Sequence, residues 1–175
     1  KCLNSQISLE IIEKSSSRIL VEEAMLLMGF VISDYAINNH INLPFRCQPC
    51  PMAPIKTTNT HFSVNNFLVK SNLSKSYIST QASKHYSLGL QSYVQITSPI
   101  RRYSDLLVHY QMNRFLNKID LIPEEEMEKN IKIINSIGKQ NTNKFREDQR
   151  IWKNKFVKNY PKREFQVIFL SWINK

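Results

Sequence analysis

Hydrophobic residues recur at helical spacing in several stretches of the chain, and the first of these runs from Ser17 to about Asn38. Its apolar members are Leu20, Ala24, Leu27, Met28, Val31 and Tyr35. Serine side chains at positions 15–17 can cap its start, and Glu22 and Glu23 lie in the early turns, where acidic residues suit the helix dipole. The spacing predicts an amphipathic helix over this stretch.

A second helix is predicted from Pro99 to about Asn117. Ser98 would be its N-cap, and Pro99 would occupy the first helical position, where no backbone donor is needed. The pattern predicts that five large side chains lie on the buried face of this helix or next to it. These are Tyr103, Leu106, Leu107, Tyr110 and Phe115.

Two more helices are predicted after residue 122. Pro123 precedes three glutamates, which marks a helix start. The apolar positions that continue this helix are Met127, Ile131, Ile134 and Ile137. Gly138 can break it, and a further pattern of Phe145, Trp152 and Phe156 runs to Tyr160, before Pro161 ends it.

The segments between these helices predict little regular structure. The stretch INLPFRCQPCPMAP holds four prolines and is predicted to be loop or extended chain. Residues 60–78 mix helical and strand-like spacing, KHYSLGLQSYVQI predicts a loop followed by a short strand, and EFQVIFLSWI predicts a strand. The chain is therefore expected to be helix-rich, and α+β in class if the rest of the polypeptide supplies a sheet.

Composition and charge limit the kinds of partner that the chain is expected to bind. The chain has 175 residues, of which 42% are hydrophobic, and this is enough for one globular core. Its formal net charge of +10 predicts a polyanionic partner, nucleic acid first and anionic membrane second. Residues 139–163 alone hold nine Lys or Arg against two acids. Because the basic residues form no single membrane-type amphipathic helix, and no apolar run approaches about 18 residues, a membrane partner is not expected.

The ends and the cysteines carry further expectations. The start lacks an initiator Met and a signal-peptide layout, and the end is an apolar run, so the chain is predicted to be a piece of a longer polypeptide. Three cysteines argue against a disulfide scaffold and favour a reducing cytoplasm. Cys47 and Cys50 have the spacing of a zinc half-site, with only His61 following at a plausible distance. Two free thiols are the favoured interpretation.

The segment TSPIRRYSD raises the main chemical question. Arg101 and Arg102 fall in the first turn of the predicted second helix, where positive charge is unfavourable unless an anion binds there. An arginine side chain can grip a phosphate with two hydrogen bonds. Asp105 is spaced to hold one of the two arginines. The alternative is a surface ion pair between Arg102 and Asp105, with Arg101 solvated.

Aromatic residues lie just upstream of the two arginines. His85, Tyr86 and Tyr93 bring an imidazole and two rings close to them in sequence. Cations next to rings suit a single nucleic-acid strand, since cations bind the phosphates and rings stack on the bases. The alternative for each ring is ordinary core packing.

The run HYSLGLQSYVQITSPIRRYSDLLVH, residues 85–109, closely resembles the C-terminal part of the catalytic domain of the ribonuclease II / ribonuclease R family. That family's pattern has His, Gly-Leu and Tyr, then Thr-Ser-Pro-Ile-Arg-Arg-Tyr-x-Asp-Leu and Val-His, and every element is present. Three other stretches follow the family's order. One of its helices resembles VEEAMLLMGFVISDY, the loop after it resembles LPFRCQPCP, and the basic helix that closes the domain resembles REDQRIWKNKFVKNY. The form of the last helix is similar to the cyanobacterial and plastid branch.

The resemblance implies processive 3′→5′ hydrolysis of single-stranded RNA to nucleoside 5′-monophosphates. It implies Mg²⁺ held by an Asp cluster that has no counterpart in these 175 residues, so no metal ligand is assigned and the chain alone is expected to be inactive. Arg101 matches an arginine implied to contact the phosphate near the scissile bond. Glu23 matches a glutamate implied to shape the site near the RNA 3′ end, with Glu22 as the rival assignment. The remaining motif positions are assigned to RNA binding: Arg102, Tyr93, His85 and Ser98.

The same resemblance sets domain boundaries and leaves open points. Residues 1–160 would be the C-terminal part of the RNB catalytic domain, and residues 161–175 the first strand of an OB-type barrel. Tyr110 stands where relatives often have Arg. Gln149 stands where many have a glutamate implied in catalysis, so Glu147 or Asp148 would substitute or the residue would be dispensable. The expected location is the cytoplasm or the plastid stroma. A non-catalytic RNA-binding module and a helical interaction protein remain alternatives.

Overall fold

The chain builds four α-helices and four short strands in the part that the computed structural model describes, which is residues 2–3, 6–7, 15–52, 62–162 and 164. In chain order these are β1 (Cys2–Leu3), β2 (Gln6–Ile7), α1 (Ser16–Asn38), β3 (Phe45–Cys47), α2 (Phe62–Asn72), β4 (Tyr77–Ser79), α3 (Tyr103–Leu116) and α4 (Glu124–Asn159). Strands β1 and β2 pair antiparallel, and so do β3 and β4. The predicted helix-rich α+β class is confirmed.

Two compact units divide the chain. Residues 13–50 and 74–140 form the larger unit, and residues 1–12, 51–73 and 141–175 form the smaller one. Two apolar clusters fill the core of the larger unit. The first comprises Ala36, Ile41, Leu43, Phe45, Cys47, Val94, Ile96, Val108 and Met112. The second comprises Ile78, Leu107, Ile122, Met127 and Ile131.

Helix α1 has the predicted extent but buries a different face. It begins after Ser15, whose Oγ accepts a hydrogen bond from the backbone N–H of Arg18 at 3.4 Å. The six apolar residues of the predicted stripe are not in the core, and Leu20 and Leu27 are 71% and 62% exposed. The buried positions are instead the small residues Gly29, Ser33 and Ala36.

Small side chains on α1 let the backbone of residues 92–94 approach the helix. The N–H of Val94 donates to the carbonyl of Gly29 at 3.3 Å, and the hydroxyls of Ser33 and Ser92 lie 2.8 Å apart. A Cβ added at Gly29 would overlap both the Tyr93 ring and the Val94 carbonyl oxygen. Close approach, rather than a wide apolar stripe, therefore determines which face of α1 is buried.

Substitution of Gly29 by Ala should destabilise the protein, because a backbone carbonyl cannot move aside as a flexible side chain can. We expect a loss of about 1–3 kcal/mol in the free energy of unfolding, the usual cost of overpacking. Gly138→Ala is the matched control, since among the described residues a Cβ there meets no atom within 4 Å. It should gain up to about 1 kcal/mol from helix propensity. Urea denaturation measures both, and equal effects at the two glycines would contradict this packing.

Helix α3 begins at Tyr103, so the predicted start at Pro99 with Ser98 as N-cap is wrong. Its buried face is also more polar than predicted, since Tyr103, Leu106 and Tyr110 are about half exposed. The buried residues are Ser104, Asp105, Leu107, Val108, Gln111 and Met112. Phe115 is partly buried, as expected for a residue near the core.

Helix α4 is continuous through Gly138, so the predicted break there, with a separate helix following it, is wrong. A single Gly inside a helix costs only about 1 kcal/mol relative to Ala. Met127 and Ile131 are buried, as the pattern indicated. The Asn135 side chain makes two hydrogen bonds to the backbone of Ile78 in β4. Its Oδ1 accepts from the Ile78 N–H at 3.0 Å, and its Nδ2 donates to the Ile78 carbonyl at 2.8 Å. This double hydrogen bond fixes the first half of α4 against the strand.

The remaining segments match the sequence in part. Helix α2 and strand β4 occupy the stretch of ambiguous spacing between residues 60 and 78. The strand predicted before the Ser-Pro pair is absent among the described residues, where isolated bridges join Val94 to Phe45 and Leu90 to His85. The predicted strand EFQVIFLSWI lies outside the described residues except for Glu164, and the domain boundary at residue 161 stays a prediction. No helix in the described part is long and apolar enough to cross a membrane.

Candidate phosphate-binding site

A tight turn precedes α3 and carries the two arginines. The carbonyl of Ser98 accepts hydrogen bonds from the N–H groups of Arg101 and Arg102, at 3.2 and 3.0 Å. Arg102 is the residue that caps α3, and Arg101 lies one position before it. Both arginines therefore precede the first residue of α3 instead of lying in its first turn. Ser98 holds the turn together through its backbone carbonyl.

Asp105 holds this turn against the helix. Its carboxylate is fully buried and accepts hydrogen bonds from the Ser98 N–H at 2.9 Å and the Ser104 hydroxyl at 3.0 Å. The Arg102 guanidinium adds a hydrogen bond from Nε at 3.0 Å and an ion pair from Nη2 at 2.7 Å. A buried carboxylate needs such partners to offset its lost hydration. The pair is thus partly buried, unlike the surface pair considered from the sequence.

Arg101 is the exposed member of the turn. Its side chain is exposed, and among the described residues no carboxylate lies within 4.0 Å of it. Its backbone is fixed by the bond to Ser98, while its guanidinium is left to contact a ligand. A guanidinium on an anchored backbone can bind two phosphate oxygens at once.

Arg46 adds a third guanidinium that the sequence analysis did not assign. It lies in β3, and its Nη1 and Nη2 donate to Gln95 Oε1 at 3.0 Å and Ser76 Oγ at 2.8 Å. Burial lowers the pKa of Arg46, and the positive charge of Arg102 acts in the same direction. Its hydrogen-bond partners are neutral, which is unusual for a partly buried cation. The sequence signal was the position of Arg46 in LPFRCQPCP, the stretch that resembles a loop of the family.

Arg46 and Arg102 share the surroundings of one carboxylate, because the charges of Arg102 and Asp105 both act on Arg46. Arg101 is grouped with them as the neighbour of Arg102 in the chain. Tyr93 lies in the same neighbourhood, and burial raises the pKa of its phenol. The cluster has an excess of two positive charges, which suits a phosphate group.

His85 and Tyr93 support the loop beside this cluster. Their rings meet edge to face with centroids 6.1 Å apart. His85 is buried, and its backbone N–H donates to the Leu90 carbonyl at 2.9 Å. Burial lowers the pKa of its imidazole, and the positive charge of Arg46 acts in the same direction. The carbonyl of Tyr93 accepts a hydrogen bond from the N–H of Arg46 at 2.8 Å. These contacts give both residues a packing role, and their assignment to RNA binding stays a prediction.

The two candidate glutamates lie on different faces of α1. Both side chains are exposed, and among the described residues no hydrogen bond or ion pair joins Glu23 to Arg101. Glu22 precedes Gly29 by seven residues, so it shares the helix face that packs against residues 92–94. This placement makes Glu22 a stronger rival to Glu23 than the sequence alone indicated.

The other candidates show no contact that assigns them to a catalytic or metal site. Cys47 is buried and its thiol donates to the carbonyls of Phe45 and Gln81, while Cys50 is exposed. Gln149 is exposed on α4, and Glu147 lies 4.0 Å from Arg150 in an exposed pair. Within the described residues no three His, Cys, Asp or Glu side chains come together as a metal site. His61 lies outside those residues.

The sequence comparisons agree with the resemblance. Residues 52–118 match the RNB domain family. A protein named uncharacterized ribonuclease in Synechocystis sp. is 31% identical over 98% of this chain and 26% of its own length. The chloroplastic/mitochondrial ribonuclease II of Arabidopsis thaliana is 34% identical over 59% of this chain and 13% of its own length. The chain belongs to the RNB-domain ribonuclease family, and it spans about a quarter or less of the length of these two relatives.

Solved structures share this fold. An active-site mutant of the Dss1 exoribonuclease from Candida glabrata matches 83% of this chain and 20% of its own, with a TM-score of 0.75 and 24% identity. Mycoplasma genitalium RNase R with ribose-methylated single-stranded RNA matches 83% of this chain and 28% of its own, with a TM-score of 0.67 and 18% identity. Yeast Ssd1, a pseudonuclease, matches 78% of this chain and 21% of its own, with a TM-score of 0.57 and 17% identity. These likenesses establish the fold, which an enzyme and a pseudonuclease share.

Proposed function

We propose that this chain is part of a 3′→5′ exoribonuclease that hydrolyses single-stranded RNA to nucleoside 5′-monophosphates. The proposal rests mainly on the turn that Asp105 clamps, because it presents Arg101 to solvent next in the chain to the anchored Arg102. Membership in a ribonuclease family supports the reaction class. We further propose that residues 1–160 belong to the RNB catalytic domain and that an OB-type barrel begins at residue 161.

In the proposed reaction water attacks the phosphorus of the last phosphodiester bond. The bond from phosphorus to the 3′ oxygen of the preceding nucleotide breaks, that oxygen takes up a proton, and a nucleoside 5′-monophosphate leaves. Arg101 would bind non-bridging oxygens and stabilise the negative charge that grows on them, while Arg102 and Asp105 hold its turn in place. Glu23 or Glu22 would shape the site near the RNA 3′ end.

Magnesium belongs to the proposal, although the described residues contain no group of ligands for it. When bound, it would activate water and stabilise charge on the phosphate. We propose that its ligands lie in another part of the complete protein, so that this chain alone is inactive. The proposed location is the cytoplasm or the plastid stroma, and the named location of the Arabidopsis relative supports the second.

Two labelled RNAs test the proposed function in the complete protein. A 3′→5′ enzyme should release a labelled mononucleotide at once from RNA labelled in its last nucleotide. With RNA labelled at its 5′ end, the label should enter a short product only after the rest of that strand has been degraded. Tight RNA binding with no product from either RNA would instead favour a non-catalytic binding module. Mononucleotides released first from the 5′ end would contradict the proposed direction.

Arg46→Gln in the complete protein should weaken binding of single-stranded RNA about tenfold, as expected for loss of one charge-assisted contact. Ser76→Ala is the control, because it removes a hydrogen-bond partner of Arg46 and keeps the positive charge. It should change affinity less than about twofold. Fluorescence anisotropy with a labelled oligonucleotide measures both. Equal losses in the two variants would show that Arg46 acts only through the loop it braces.

A further inference from the structure

Helix α4 divides its charge unevenly along its length. Residues 124–138 hold four glutamates and two lysines, whereas residues 139–159 hold seven Lys or Arg and two acids. The glutamates of the first turn complement the helix dipole, and Lys129 and Lys132 pair with Glu125 and Glu128. The positive half has no such simple balance.

Neither the helix dipole nor ion pairing explains the positive half. The dipole acts within the last turn, where Lys158 is the basic residue. Among the described residues, the only ion pair in this half joins Arg150 to Glu147 at 4.0 Å, and both side chains are mostly exposed. Arg146 and Lys153 have no carboxylate within 4.0 Å in the same part of the chain. Within the part of the chain that the structure describes, carboxylates therefore do not balance the excess charge.

Arg146, Arg150 and Lys153 form what we call the basic stripe. Their spacing of four and three residues puts them on one face of α4. They line an open depression together with Phe145, Gln149 and Asn154, and no acidic residue is among these six. Phe145 is 64% exposed. The surface thus combines cations for phosphates, an exposed ring for a base and two amides for base edges.

We propose that the basic stripe binds the phosphates of single-stranded RNA. This inference rests on the proposed function and assigns the stripe a share of the salt-dependent affinity. The open depression and its two amides favour a strand of nucleotides over an anionic membrane. Because Ile151, Trp152 and Val157 in this half of the helix are about half exposed, binding to anionic vesicles is an outcome of the test.

The double variant Arg146→Gln/Lys153→Gln tests the stripe in the complete protein. Each lost phosphate contact reduces the slope of log affinity against log salt by about 0.7 for single strands, so the slope should fall by about 1.4. At low salt, affinity for a labelled oligonucleotide should drop about tenfold or more. Circular dichroism should show an unchanged fold, because both side chains are exposed.

Lys129→Gln/Lys132→Gln is the matched control, since it removes two positive charges from the other half of the same helix. It should leave the slope unchanged. Equal slopes in both double variants would overturn the proposal, and so would a loss confined to binding of anionic lipid vesicles. If the unmodified protein degrades RNA while the two slopes are equal, only the stripe fails. If the unmodified protein neither binds nor cleaves RNA, the proposed function itself fails.

Discussion

Arg101→Ala in the complete protein should slow single-turnover cleavage of single-stranded RNA by about 10²–10³-fold, the usual effect of removing one preorganised donor from a developing oxyanion. RNA affinity should fall much less, because other cations still neutralise the strand. The reason lies in the turn, where Ser98 and Asp105 fix the backbone that carries Arg101 while its guanidinium remains exposed.

Arg101→Lys separates charge from geometry in this experiment. It keeps one positive charge but loses the planar fork, so its cleavage rate should lie between those of the unmodified protein and the alanine variant. Quench-flow cleavage and equilibrium binding, measured on the same preparations, give the two quantities to compare. If rate and affinity fall by the same factor in Arg101→Ala, the arginine contributes uniform binding and does not act in the transition state.

Asp105→Asn should have the largest effect on stability, about 3 kcal/mol. Removing one partner of a buried ion pair costs about 3–5 kcal/mol. We expect the lower end because the Arg102 side chain retains 26% exposure. Cleavage should also slow, since the turn that positions Arg101 loses its charged anchor. Urea denaturation gives the stability, and the cleavage rate is measured at a temperature where the variant remains folded.

The double variant Asp105→Asn/Arg102→Gln is the control for this effect. If the cost arises from an uncompensated buried charge, neutralising both partners should recover part of the lost stability. The cleavage rate should stay low, because the clamp is not restored. Unchanged stability and turnover in Asp105→Asn would show that the hydrogen bonds to Ser98 and Ser104 do not need the negative charge.

Local sequence rules predicted the helices better than their faces or their starts. The Ser-Pro pair favours a helix from Pro99, but the buried Asp105 binds the Ser98 N–H and so makes residues 98–101 a separate turn. On α1 the large apolar side chains suggested the buried stripe. The approach of residues 92–94 instead selects Gly29, Ser33 and Ala36. Both outcomes depend on partners far along the chain or on burial, which periodicity does not report.

The candidate site was predictable where a motif carries it and not where tertiary contact does. The run at residues 85–109 placed Arg101, Arg102 and Asp105 together from the sequence. Arg46 lies more than fifty residues earlier, and only the pairing of β3 and the contacts with Ser76 and Gln95 bring it to the same cluster. Glu22 and Glu23 are adjacent in sequence and differ mainly in helix face. A helical wheel separates them only when the packed face is known.

A structure of the complete protein with a non-cleavable single-stranded RNA tests the central claim most directly. The quantity to measure is the distance from the Arg101 guanidinium to the non-bridging oxygens of the phosphate next to the RNA 3′ end. We predict about 2.7–2.9 Å, the range of charge-assisted hydrogen bonds, with Arg102 still paired to Asp105. An RNA 3′ end bound elsewhere, with Arg101 still facing solvent, would contradict the assignment of this turn as the phosphate-binding element.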